Sequence, residues 1–268
     1  MNGSNFTLAT RFLSKEASDG LRIFYAYCRL MDDIVDENHS RKQAEQELNF
    51  WHEELDRVYL GTPQTQVGTD LAPVVKTFLI PKTYLEEIRL GCAMDLEKSR
   101  YENFAELEKY CYRVASCVGI ACLYFFDLPP NEKNIEIAVN LGKALQFTNI
   151  LRDVKEDFER SRIYLPQDLL EKYHLSEKDF SNWKNAQANW LLCLNEFMRN
   201  TRNFYQAAYE GVAESEQKKW LPALMMAKIY QEILERIARN SLLVFENRVK
   251  ISKLQKLLIV GKLLWRSK

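Results

Sequence analysis

The sequence predicts an all-α protein, and three observations carry that prediction. Only 9 Gly and 7 Pro occur in 268 residues, too few for a strand-rich chain that must turn every eight to twelve positions. Apolar residues recur at three- and four-residue intervals rather than alternating, the period of a helix with one buried face. Two acid-rich segments, Asp32-Asp33-x-x-Asp36 and Asn149-x-x-x-Asp153-x-x-x-Asp157, set oxygen-bearing side chains four residues apart, which a helix gathers on one side. Hydrophobic residues make up 47%, enough for a sizeable core. No flexible linker, repeat or low-complexity segment divides the chain, so residues 1–268 read as one helical domain.

The first helix covers Leu21 to Asp36. Leu21, Phe24, Tyr25, Cys28, Met31 and Val35 form its apolar stripe, and Arg29, Asp32 and Asp36 share the neighbouring face. A second runs from about Arg41 to Leu60 and stops at Gly61-Thr62-Pro63. Shorter helices fit Asp70 to Leu79 and Lys82 to Glu97. Phe104 to Phe126 is strongly apolar and reads as buried, closed by Pro129-Pro130. Asn131 is placed to cap the next helix, Glu132 to about Phe158, which carries the second acidic segment and is broken by Arg160-Ser-Arg162-Ile-Tyr164-Leu-Pro166. Ser176 to Asp179 opens a short helix. Asn182 to Tyr209 is a long one, with Trp183, Trp190, Phe197 and Phe204 at sevenfold spacing. Trp220 begins another, with Pro222 tolerated in its first turn, and Leu221 to Glu246 continues it. A last helix spans about Ile251 to Trp265.

Composition excludes several classes. Lys+Arg equals Asp+Glu at 37 each, so no global field favours nucleic acid, and no nucleic-acid-binding module is visible. Cys28, Cys92, Cys111, Cys117, Cys122 and Cys193 form no C-x-x-C pair and only three histidines exist, which argues against a zinc site. Most of these cysteines sit among apolar residues, as reduced thiols do in a reducing cytosol. The N-terminus has no basic region followed by an apolar run, so no signal peptide is expected. The longest apolar stretch, Val118 to Phe126, is too short to span a bilayer as a helix.

Two acidic helix faces turned toward each other repel unless divalent cations fill the gap. Magnesium is hard, prefers oxygen ligands and is often shared between carboxylates and substrate phosphates. The pair of segments therefore points to chemistry on a diphosphate. Asp32, Asp33 and Asp36 alone would read as a solvated face. Their context differs: they follow Tyr25, Tyr27 and Cys28 on a largely apolar helix, with Arg29 one turn before. In the second segment Gln146 precedes Asn149 by one turn, suited to bond a phosphate or a metal-bound water, and Arg152 adds positive charge.

Four runs carry a resemblance: Tyr25-x-x-Cys28-Arg29-x-x-Asp32-Asp33-x-x-Asp36; Tyr110-Cys-Tyr-Arg113-Val-Ala-Ser-Cys-Val118-Gly119; Gln146-x-x-Asn149-Ile-Leu-Arg152-Asp153-x-x-Glu156-Asp157; and Arg162-Ile-Tyr164-Leu-Pro166. In order and spacing they resemble the squalene/phytoene synthase family, the head-to-head prenyl synthases, from Ser4 to about Arg266. One departure is Ser116, where many relatives have Gly. Its Val-Ala-Ser context is more similar to bacterial presqualene diphosphate synthases of hopanoid pathways than to plant phytoene synthases.

The resemblance implies an isoprenoid-synthase-type helical bundle around a central cavity. The family joins two allylic diphosphates through their C1 region to a cyclopropylcarbinyl diphosphate. By resemblance, Asp32, Asp36, Asn149, Asp153 and Asp157 ligate Mg²⁺, with Mn²⁺ as a substitute, and Asp33 supports the cluster. Arg29, Gln146, Arg152 and Arg162 are candidate diphosphate contacts, and Tyr230 adds a hydrogen bond. Ser4 matches a family serine near the diphosphate, and Tyr110 lies near the reacting carbons, able to orient the departing diphosphate. Val114, Val118, Ile120, Ala121 and Leu123 would wall a dry pocket. The preferred substrates are two C15 farnesyl diphosphates, giving presqualene diphosphate, with NADPH needed only for reduction onward to squalene. Dehydrosqualene is another product of the same substrates, and two C20 geranylgeranyl diphosphates giving phytoene remain the main alternative. Catalytically silent assembly relatives typically lose the carboxylates that this chain keeps. Head-to-tail elongases and terpene cyclases carry other metal motifs.

Between Lys250 and Lys268 stand six basic residues and no acidic one, interleaved with Ile251, Leu254, Leu257, Leu258, Leu264 and Trp265. This is the pattern of a basic amphipathic helix able to lie on an anionic membrane, and equally of a final helix packed on the domain with solvated lysines. The expected location is cytoplasmic, with peripheral contact on the inner membrane face.

Overall fold

A computed structural model describes residues 10–36 and 40–266. Ser4 lies outside the described residues. Helix α1, Lys15–Asp36, starts a turn and a half before the expected Leu21. Leu21, Phe24, Tyr27, Cys28, Met31 and Ile34 form its buried side. The Tyr27 hydroxyl donates to the Leu85 carbonyl at 2.9 Å, so this polar side chain is satisfied in the core. Helix α2, Arg41–Leu60, opens with a capping box between Ser40 and Gln43 and ends at Gly61 with φ 79°, a left-handed turn that glycine adopts without strain. Helices α3, Gln66–Thr77, and α4, Lys82–Glu97, follow.

The strongly apolar Phe104–Phe126 stretch is two helices joined by a π-helical segment. Helix α5, Phe104–Cys111, passes through a π-helical segment, Tyr112–Ser116, into α6, Cys117–Phe125. Two glycines let this bulge nestle between neighbours. A Cβ on Gly142 would lie 2.5 Å from Ser116 Cα, and one on Gly91 would lie 2.7 Å from Arg113 Cβ. The Ser116 hydroxyl donates to the Val139 carbonyl at 2.9 Å.

Helix α7, Glu132–Arg152, is capped by Asn131 as expected, whose side chain accepts from the Asn134 N–H. It runs through the middle of the molecule. Its Ile137, Leu141, Phe147 and Leu151 are buried, and the Phe147 ring packs on Phe104, Phe197 and Phe204. Apolar residues on most sides mark an interior helix.

The expected continuous helix to Phe158 breaks at Asp153, where φ is −106° and ψ 11°. A short helix α8, Val154–Glu159, continues from there. Helices α9, Gln167–Lys172, and α10, Glu177–Ser181, come next, and Ser176 caps α10. Trp183–Ala186 is 3-10 rather than α, and α11 covers Gln187–Gly211. Helix α12, Gln217–Arg239, begins before Trp220, so Pro222 sits in its second turn. The chain then turns through a 3-10 segment, Ser241–Phe245, instead of continuing as α-helix to Glu246.

Helix α13 is Lys253–Arg266. Ile251 and Val260 are buried, whereas Leu254, Leu257 and Leu258 are exposed. Among the described residues the only β feature is an isolated bridge between Arg100 and Ile163. One hydrophobic cluster runs from Leu21 to Val260, and it holds the helix faces that line a central cavity.

Candidate active site

Helix α1 and the α7–α8 corner form opposite sides of a cavity of about 540 Å³. From α1 come Tyr25, Arg29, Asp32, Val35 and Asp36. From α7, the Asp153 corner and α8 come Gln146, Asn149, Arg152, Asp153, Glu156 and Asp157. The break at Asp153 keeps the oxygen ladder together: the Asp153 N–H donates to the Asn149 carbonyl and the Asp157 N–H to the Asp153 carbonyl, each at 2.9 Å. The two acidic segments therefore face one space. Tyr110, Arg162 and Tyr230 line it as well. Asp33 does not; it pairs with Arg29 at 2.9 Å. Of the five expected wall residues, Val114 lines the cavity and Val118 is half-buried. Ile120, Ala121 and Leu123 are packed in the core, because α6 is enclosed by α7, α4 and α1.

Arginines stand on the carboxylates. Asp36 is held by Arg160 at 3.0 Å and Arg162 at 2.8 Å. Ser161, with φ 62°, turns the chain between these arginines. Asp153 is bonded by its neighbour Arg152 at 2.5 Å and by Arg248 at 2.9 Å. Burial opposes the Arg152 charge, but the hydrogen bond and charge of Asp153 outweigh it and hold its pKa above the ordinary range.

Three other carboxyls in the cavity resist ionisation. Desolvation raises Asp32 to about 6, partly offset by a hydrogen bond from the Cys92 thiol. Desolvation and nearby Asp153 raise Asp157 to about 7. Desolvation also raises Asp95 to about 6, against the pull of Arg162 and of two tyrosine hydroxyls. Raised acid pKa values from desolvation mean that added positive charge at these oxygens would be favoured.

Asn149 supplies an independent sign of a cation site. Its amide nitrogen donates to Gln146 Oε1 at 3.2 Å, while its buried Oδ1 accepts no hydrogen bond. A buried acceptor without a donor is rare and costly. With Asp32, Asp36, Asp153 and Asp157 it makes an all-oxygen donor set, the kind hard Mg²⁺ takes. Among the described residues no three His, Cys, Asp or Glu side chains are already drawn into a ligand cluster; the arginines are interleaved with them. The lining thus offers hard oxygen donors of the kind a cation takes and forked guanidiniums of the kind an anion takes.

Several contributors carried no assigned role in the sequence reading. Asp95 accepts from the Tyr110 hydroxyl at 2.9 Å and the Tyr164 hydroxyl at 2.8 Å. Its one sequence signal was a lone acid within Leu90-Gly-Cys-Ala-Met94-Asp95-Leu96. Arg160 and Arg248 gave no signal, since each lies in a connection and finds its partner across the fold. Among the described residues no helix is long and apolar enough to cross a membrane.

Comparison with known proteins agrees with this geometry. A model of the squalene/phytoene synthase family matches residues 2–255. The chain is 34% identical over 260 residues to the chloroplastic phytoene synthase of an Oncidium hybrid cultivar, covering 95% of this chain and 63% of that protein. It is 34% identical over 259 residues to the chloroplastic phytoene synthase 2 of Solanum lycopersicum, covering 94% and 83%. It is 32% identical over 265 residues to the 15-cis-phytoene synthase of Synechocystis sp., covering 94% and 78%. The chain thus spans less than two thirds of the Oncidium relative.

Its fold is that of a ligand-bound dehydrosqualene synthase, with a TM-score of 0.85 at 24% identity, covering 99% of this chain and 92% of the other. The squalene synthase HpnC of Alicyclobacillus acidocaldarius matches with a TM-score of 0.80 at 21% identity, covering 90% of each. Matched along nearly its whole length, and with both acidic segments on one cavity, the chain belongs to the squalene/phytoene synthase family, a family of prenyltransferases.

Proposed function

We propose that this protein condenses two allylic prenyl diphosphates head to head into a cyclopropylcarbinyl diphosphate, with Mg²⁺ or Mn²⁺ as cofactor. The observation that carries the reading is the shared cavity of α1 and the α7–α8 corner, with eight carboxylate or amide side chains and a ring of arginines opening on it. Asp32, Asp36, Asn149, Asp153 and Asp157 would hold the metal, with Asp33 steadying Arg29. Bound metal neutralises the diphosphate and eases its departure. Arg160, Arg162, Arg152 and Arg248, which stand on Asp36 and Asp153, would be the residues to bond diphosphate oxygens. Arg29, Gln146 and Tyr230 complete the polar rim. Val35, Val114 and Ile150 line the same cavity and keep water from the reacting carbons.

Two C15 farnesyl diphosphates, giving presqualene diphosphate, are supported by the Val114-Ala115-Ser116 run. Two C20 geranylgeranyl diphosphates, giving phytoene, are supported by the phytoene synthases among the relatives. Incubation with either substrate and Mg²⁺, with and without NADPH, separates presqualene diphosphate, squalene, dehydrosqualene and phytoene. A folded protein that leaves both substrates unchanged would instead be a silent assembly relative.

The exposed Leu254, Leu257 and Leu258 of α13, flanked by Lys250, Lys253, Lys256 and Lys262 with no acidic residue among them, support contact with an anionic membrane surface. Charge complementarity selects that occupant.

A further inference from the structure

Asp95, at the end of α4, takes both tyrosine hydrogens at one edge of the cavity. Its Oδ2 accepts from Tyr110 at 2.9 Å and its Oδ1 from Tyr164 at 2.8 Å. All three residues line the cavity. The two rings stack at 5.2 Å, and Tyr101 packs against both, at 5.5 and 5.7 Å. Tyr101 and Tyr110 are buried, so the rings are fixed by packing and the hydroxyls by the carboxylate.

A tyrosine hydroxyl has one hydrogen. With each hydrogen given to Asp95 and the two hydroxyl oxygens 3.4 Å apart, the lone pairs that remain are what the oxygens offer to whatever occupies the cavity. Such oxygens repel a diphosphate and attract an electron-deficient carbon. Arg160, Arg152 and Arg248 are held at Asp36 and Asp153, while Arg162, paired with Asp36, also acts with its charge on Asp95 and Tyr164. The arginines thus form the anion-binding part of the cavity, and the tyrosine oxygens form an acceptor edge that adjoins it at Arg162.

Resting on the condensation reading above, we propose that Asp95 is a positioning residue that locks the Tyr110 and Tyr164 oxygens as acceptors facing the allylic carbon as its diphosphate departs. The tyrosines touch the reacting group, and Asp95 acts through them. A preset acceptor costs no reorganisation as positive charge develops.

Asp95→Asn keeps the size and swaps one acceptor for a donor, so one tyrosine must turn its hydrogen toward the cavity. The expected result is a single-turnover rate about 100-fold lower. KM stays within about threefold, and affinity for Mg²⁺ with inorganic pyrophosphate, measured by calorimetry, is unchanged. Tyr164→Phe removes one oxygen but leaves Asp95 bonded to Tyr110, and slows the step about tenfold. Adding Asp95→Asn to Tyr164→Phe costs less than it does in the wild type, because the two share one interaction.

Wild-type turnover in Asp95→Asn overturns the proposal. So does pyrophosphate affinity falling in step with the rate, or full additivity of the two substitutions. Should Asp95→Asn fail to fold, wild-type turnover in Tyr164→Phe overturns it. A wild-type protein that turns over neither C15 nor C20 diphosphate overturns the condensation reading itself, a separate outcome read before any variant is made.

Discussion

Asp157 is held between two opposing demands. Desolvation and Asp153 raise its pKa from 3.8 to about 7, so the folded chain binds this proton more tightly than the unfolded chain does. Its contribution to stability is therefore present below about pH 4 and is lost as pH rises through about 7. Asn at this position carries no charge to desolvate. In chelator, Asp157→Asn should melt above the wild type by a margin that grows from pH 4 to pH 8, while its turnover with Mg²⁺ falls by about 100-fold or more. Thermal unfolding across that pH range and product assays check both halves. A margin that shrinks with rising pH would contradict the desolvation account. Asn149 belongs to the same logic, with its buried and unpartnered amide oxygen.

At the scale of elements, the π segment between α5 and α6 shows how backbone contact limits side chains. Gly142 lies so close that an added Cβ would meet Ser116 Cα at 2.5 Å and Ser116 N at 2.6 Å, both backbone atoms with little room to shift. Helix propensity alone favours Ala over Gly by up to about 1 kcal/mol. Here overpacking, costing about 1–3 kcal/mol, outweighs it, so Gly142→Ala should lower stability in chemical denaturation. Gly261 in α13 has no neighbour within 4 Å. Gly261→Ala should therefore slow hydrogen exchange in α13, in line with a gain of about 0.5–1 kcal/mol. Equal behaviour of the two substitutions would mean that the close approach at Gly142 does not govern its helix.

Over the whole molecule, a formal charge of zero hides a strong separation. Arginines and carboxylates interleave in the cavity, and lysines collect on α13. Removing residues 250–268 would strip Ile251 and Val260 from the core, so truncation confuses folding with binding. Leu257→Ser with Leu258→Ser alters only exposed side chains. This variant should bind phosphatidylglycerol vesicles at least about tenfold more weakly, given the transfer energy of two leucines, and should keep its melting temperature. Sedimentation with phosphatidylglycerol and with phosphatidylcholine vesicles measures it. Unchanged binding to the anionic vesicles would assign α13 to packing alone.

The helices and both acidic segments were legible because their signals are local. Four-residue spacing places Asp32 beside Asp36 whatever the rest of the chain does, and Asn131 caps α7 through a bond to Asn134. Bends were not legible. A π segment adds a residue without changing the apolar character of its run, and Asp153 leaves the helical region by only tens of degrees. Pairings were not legible either. Arg160 meets Asp36, Arg248 meets Asp153, and Asp95 collects the hydrogens of Tyr110 and Tyr164. Sequence by itself determined the helical class and the two ladders of oxygen-bearing side chains. Only the tertiary structure decided which cation stands on which carboxylate and which way the tyrosine hydrogens point, because such bonds form within about 3 Å and residues far apart in sequence come that close only when the helices pack.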